Sequence, residues 1–107
     1  LLSGANLGDD GAVGGTGTAQ DHYGAGAIGT IKVTGGITSS FIGAGVDPVD
    51  TTFGNNNDRV IGGAASAIRS LTAKTADQSS TFEAGAFGKV RLPKTVSVFQ
   101  DSRFKVL

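Results

Sequence analysis

The chain has 107 residues, enough for one domain, and its 9 Lys plus Arg balance 9 Asp plus Glu to a formal net charge of zero. That balance removes any general electrostatic reason to bind nucleic acid. The absence of Cys excludes disulfide scaffolds, zinc–cysteine sites and thiol catalysis, and no run approaches the length of an apolar membrane-spanning segment.

Composition then points to a fold class. Gly supplies 18 residues, about twice the usual share. Glu occurs only as Glu83, Met and Trp are absent, and Thr, Ser, Asp and Asn are plentiful. Such a mixture disfavours helices and suits short strands joined by tight turns, so the expectation is all-β. The chain starts at Leu1 without Met or a basic-plus-apolar leader, and reads as a C-terminal fragment of a larger protein.

Taken in chain order, the sequence divides into alternating short rungs and long loops. Residues 1–5, with Leu1 and Leu2, read as the remnant of a first rung. Residues 6–26 form a first loop. Its Gly14, Gly15 and Gly17 superficially suggest a phosphate cradle, but neither a Lys nor a helical pattern follows. The only histidine, His22, stands beside Asp21 with Asp10 further back. Without a nucleophile elbow or a paired His it reads as a solvated loop residue. Tyr23 is expected to pack this loop against the wall behind it.

Residues 27–45 give the first complete unit: Ala27-Ile28, then Ile31 and Val33 in two-residue alternation, then a Ser/Gly turn, then Phe41-Ile42-Gly43-Ala44-Gly45. A second loop covers 46–66. Residues 67–85 repeat the unit with Ala67-Ile68, Leu71, Ala73, Ser79-Ser80 and Phe82-Glu83-Ala84-Gly85, 40 positions on. Residues 86–94 begin a third copy, Ala86-Phe87, Val90 and Leu92, with no loop before it. A circuit this short cannot bury its own apolar face. Stacking joins Ile28, Ile68 and Phe87 into one column and Ile31, Leu71 and Val90 into another. The predicted fold is a short parallel β-helix (β-solenoid) of about three rungs, with residues 95–107 as a C-terminal cap. A small antiparallel sandwich or barrel is the rival fold, though it leaves the repeat unexplained.

The second loop carries the densest chemistry. Asp47, Asp50, Asn55, Asn57 and Asp58 could supply the oxygens that a calcium ion requires, and Gly54 would let the loop fold back. The spacing matches neither an EF-hand nor a nonapeptide calcium roll. Consecutive Asx turns account for the same residues without metal, so the expectation is no cofactor, with calcium the alternative. A carboxylate pair for polysaccharide cleavage finds little support around Glu83, which has only Asp77 as an acidic neighbour in sequence. Charge is uneven: Lys32 stands against six Asp in residues 1–58, whereas eight bases outnumber three acids in 59–107. This reads as solvated surface, or as attraction between neighbouring molecules.

The run from Phe41 through Asp47-Pro48-Val49-Asp50 to Asp58, the strands Ala67–Leu71 and Ala84–Leu92, and the ending Asp101–Leu107 together resemble a repeat module of very large bacterial secreted and cell-surface exoproteins of the haemagglutinin- or adhesin-like β-helix kind. The resemblance spans roughly residues 25–107. It implies export to the medium or cell surface, a β-helical stalk, and adhesive or structural use without catalysis. The partners it implies are neighbouring repeats or other copies of the chain, and surface glycans. A calcium-dependent carbohydrate- or ligand-binding module is the alternative, and a polysaccharide-degrading enzyme a remote one.

Overall fold

The computed structural model describes residues 1–7, 21–50, 52–92 and 94–107. In chain order the strands are β1 (Leu2–Ser3), β2 (Ala5–Asn6), β3 (His22–Tyr23), β4 (Ile28–Lys32), β5 (Gly36–Ile37), β6 (Phe41–Ala44), β7 (Val46–Asp47), β8 (Arg59–Val60), β9 (Ala67–Thr72), β10 (Thr75–Ala76), β11 (Thr81–Ala84), β12 (Ala86–Arg91) and β13 (Phe104–Val106). Two single-turn 3₁₀ segments, Gly63–Ala65 and Val98–Gln100, are the only helical pieces among the described residues. The protein is all-β, as the composition predicts.

The strands form three parallel walls and two short hairpins. One wall holds β4, β9 and β12; a second holds β1, β6, β11 and β13; a third pairs β5 with β10. The chain visits the walls in a fixed order, β4 then β5 then β6, and again β9 then β10 then β11. Registers follow the repeat. Ile28 pairs with Ile68 and Ile68 with Phe87; Ile31 pairs with Leu71 and Leu71 with Val90. Both columns read from the sequence are therefore real. Ile68, Leu71 and Val90 are almost completely buried, joined by Ile37, Ile42, Ala44, Phe82, Ala84 and Phe104 in one apolar cluster.

The turns stack as well as the strands. The Ser39 and Ser79 hydroxyls lie 3.0 Å apart, and the Ser40 amide donates to the Ser80 hydroxyl. Asp77 ties the two turns together by accepting from the Ser39 amide and from the Ser79 and Ser80 hydroxyls. Those donors hold its carboxyl below the ordinary carboxylate range, the Ser80 hydroxyl foremost.

A glycine corner closes each unit. Gly4 and Gly45 have φ of +85° and +64°, a left-handed conformation that L side chains rarely adopt. A Cβ on Gly4, Gly45 or Gly85 would come within 2.3, 2.0 or 1.8 Å of Gly24 O, Ser66 Oγ or Gly63 O. Chain packs against the outside of this corner, leaving no room for a methyl group. The corner also sets the first register: Ser3 pairs with Ala44 and Leu2 with Gly43. A strict 40-residue repeat would instead set Leu1 and Leu2 opposite Phe41 and Ile42. The strand is shifted by one because Gly4 must occupy the position of Gly45.

Both excursions leave from this corner as antiparallel hairpin arms, β2 with β3 and β7 with β8. In the third copy Gly85 passes directly to β12. The tail does more than cover the end. Its β13 pairs in parallel with β11, so it continues the second wall, and Phe104 stacks on Phe82 with ring centroids 4.6 Å apart. The preceding residues fold back on β12 through an antiparallel bridge of Thr95 to Arg91 and a bond from the Val96 amide to Val90 O. Asp101 and Arg103 form an ion pair, and the Arg103 guanidinium reaches Ala76 O and lies over the Phe104 ring.

Phe82→Ala removes a fully buried ring from the middle of this stack and should lower unfolding free energy by about 3–5 kcal/mol. Phe99→Ala, at a ring 85% exposed, should change it by less than about 0.5 kcal/mol. Denaturant midpoints of the two variants check the contrast.

Candidate functional site

The second excursion begins where Gly45 turns the chain out of the wall. Asp47 and Asp50 then each cap a turn of their own backbone: Asp47 Oδ1 accepts from the Val49 amide at 2.8 Å and Asp50 Oδ1 from the Thr52 amide at 2.7 Å. The other oxygen of Asp50 accepts from both Asn55 Nδ2 and Asn57 Nδ2, each at 2.9 Å. Asp50 is thus the hub of the loop, its carboxyl held below the ordinary range chiefly by the Thr52 amide and Asn57.

The five residues singled out as calcium ligands do not act as one group. Asp50, Asn55 and Asn57 come together, but the two amides turn their N–H₂ ends toward Asp50. Asp47 caps a separate turn. Asp58 points the other way, inward, with one oxygen accepting from the Gly54 amide at 2.6 Å. Among the described residues no group of three or more His, Asp or Glu side chains is placed to hold a metal ion.

Asp58 leads to a site that local sequence does not reveal. Successive residues of β11 face opposite sides of the wall, so Phe82 and Ala84 enter the apolar core while Glu83 faces the excursion. The folded-back loop covers it completely. There the Glu83 and Asp58 carboxyls come close enough to perturb one another, and Lys105 of β13 approaches with Nζ 3.7 Å from Glu83 Oε2 while donating to Gly54 O at 3.1 Å. Burial, then the hydrogen bond and charge of Asp58, push the Glu83 carboxyl up to about 8, with Lys105 acting in the opposite sense. At neutral pH Glu83 is mostly the neutral acid, able to donate its O–H to Asp58. This triad joins the excursion, the second wall and the tail. Glu83 was visible as the lone Glu of a strand motif, but its partner lies 25 positions away in a loop that only the fold brings over it.

The pair is not placed for glycoside cleavage. Glu83 is fully buried beneath the loop, where a glycosidic bond does not reach it. The first excursion is equally plain in its described part. His22 is exposed on β3 opposite Asn6. Tyr23 donates to Asp21 Oδ2 at 2.9 Å and sets its ring edge-on to Phe53, which in turn lies 5.0 Å from Phe41. Tyr23 therefore packs one excursion against the other. Its hydroxyl is pushed up to about 12, first by burial and then by Asp21. The glycines 14, 15 and 17 and Asp10 lie outside the described residues.

Because the folded-state pKa of Glu83 is above its ordinary 4.5, the folded chain binds more protons than the unfolded one between about pH 4.5 and 8. Stability should fall across that window, by at most about 1.4 kcal/mol per pH unit, and level off above it. Glu83→Gln, which keeps a donor and loses the titration, should flatten the slope in thermal melts recorded against pH.

No family model, curated protein or solved structure matches the chain.

Proposed function

We propose that the chain is a non-catalytic structural and adhesive module of a secreted or surface-displayed bacterial repeat protein. In this reading the three walls are the sides of a short parallel β-helix, and the two excursions are contact loops displayed from one corner. The observation that carries it is the in-register stacking of Ile28, Ile68 and Phe87, which repeats at the glycine corner and at the serine turns. Stacking of this kind yields a stiff unit in which loop sequence can vary without disturbing the core.

The end of the stack formed by β1, β4 and β5 supports a role in assembly. Core side chains Ile31, Val33, Ile37 and Ile42 line a trough of about 340 Å³ there, with Leu1 at its rim. Among the described residues the strand edges beside it pair on one side only. Such an end suits a neighbouring repeat or a second copy of the chain.

A calcium-dependent ligand-binding module is the second reading. Asn55 Oδ1 is buried without a hydrogen-bond donor in the excursion that holds the Asp58 carboxyl and covers that of Glu83, which favours a positive ligand there. A rise in melting temperature with calcium that Asp58→Asn abolishes would establish it.

The structural and adhesive reading is tested by sedimentation and a glycan array on the purified chain, with a reducing-sugar assay alongside. Concentration-dependent self-association or retention on glycans, without polymer turnover, is expected. No association in either format would contradict the reading, as would turnover lost in Glu83→Gln.

A further inference from the structure

The outward face of the wall formed by β4, β9 and β12 carries cations alone. Ile31, Leu71 and Val90 point inward, so the residues flanking them point out. Register sets these outward residues in rows across the strands: Thr30, Ser70 and Lys89 in one, Lys32, Thr72 and Arg91 in the next. Arg69 adds a third charge line. It is exposed on β9 at the one position of the strand where the pairing to β4 and β12 is interrupted. Every strand of the wall thus carries at least one base, and Asp and Glu are absent from all three strands.

These charges are unspent. Lys32, Arg69, Lys89 and Arg91 are all exposed, and none of them has an ion-pair partner among the described residues. Deterring edge pairing accounts for Lys32, Lys89 and Arg91 on the outer strands. It does not account for Arg69, which lies on the central strand. Gathering like charges on one wall costs repulsion that an anion would relieve.

We infer that this face binds a linear acidic polysaccharide, a polyuronate in chemical class. A chain lying across the strands along the row of Lys32, Thr72 and Arg91 meets a cation on each outer strand, two strand spacings or about 9.6 Å apart. That step is comparable with the length of two sugar rings. Thr30, Ser70 and Thr72 sit among the cations and offer hydroxyls that donate to and accept from sugar hydroxyls. A single-stranded nucleic acid fits less well, because the face presents no exposed aromatic ring on which bases could stack. The inference rests on the adhesive reading above and names the ligand class.

The test measures polygalacturonate binding by calorimetry and affinity electrophoresis, with neutral dextran and a single-stranded oligonucleotide as comparison ligands. The intact chain should bind polygalacturonate and ignore dextran, and the affinity should fall steeply with added salt. Arg69→Gln combined with Lys89→Gln should weaken binding at least tenfold. Arg59→Gln combined with Lys74→Gln, which removes equal charge from the excursion and a turn, should weaken it less than threefold. All four side chains are exposed, and unchanged melting temperatures would confirm that both variants fold. Equal loss in the two variants, no binding to polygalacturonate, or tighter binding of the oligonucleotide would overturn the inference. If polygalacturonate fails while neutral glycans are retained on the array, the adhesive reading survives and this inference does not.

Discussion

A circuit of about 19 residues, the interval from Ile68 to Phe87, has too little apolar surface to exclude water alone. The structure depends on how that shortage is met: each unit buries its Ile, Leu, Val or Phe against the same position of the unit beside it. Parallel registers follow from this, because only in-register pairing keeps like residues in one column. The glycine corner follows too. The chain must turn out of the second wall at the same height in every unit, while returning backbone presses on the outside of the turn at Gly4, Gly45 and Gly85.

That constraint separates scaffold from display. The excursions enter at the corner, where insertion leaves the columns intact, and the third copy shows that the unit closes without one. Once inserted, they are not left loose. Tyr23 and Phe53 join one excursion to the other, Phe41 fixes both to the wall, and the approach of Glu83 to Asp58 and Lys105 pins the second to the strand beneath it. The remaining wall of long strands carries the exposed bases Lys32, Arg69, Lys89 and Arg91.

Much of this was legible in the residues. The columns Ile28–Ile68–Phe87 and Ile31–Leu71–Val90, and the overlay of Ser39-Ser40 on Ser79-Ser80, could be read because inward-facing positions and tight turns leave a local pattern. The register of the first strand departs by one residue from a strict 40-residue repeat. Two adjacent leucines offer no phase, and the determinant was Gly4 rather than either of them. The tail departs from the repeat in sequence yet joins the second wall, because Phe104 can stack on Phe82 from a segment with no alternating pattern before it. The Asp/Asn loop was recognised as a cluster, but composition could not say which side chains turn toward each other. Asp50, Asn55 and Asn57 do; Asp58 turns away to meet Glu83. That meeting depends on how a long excursion folds back, and no local signal encodes it.

The central claim is that the three look-alike segments lie side by side with their apolar residues in contact. Methyl NOE spectroscopy on a chain labelled at Ile, Leu and Val tests it most directly. The account predicts cross-peaks from Ile28 to Ile68 and from Leu71 to both Ile31 and Val90, together with the backbone contacts of parallel strands. Absence of those cross-peaks, or strong interstrand Hα–Hα contacts of the antiparallel kind between these segments, would contradict it.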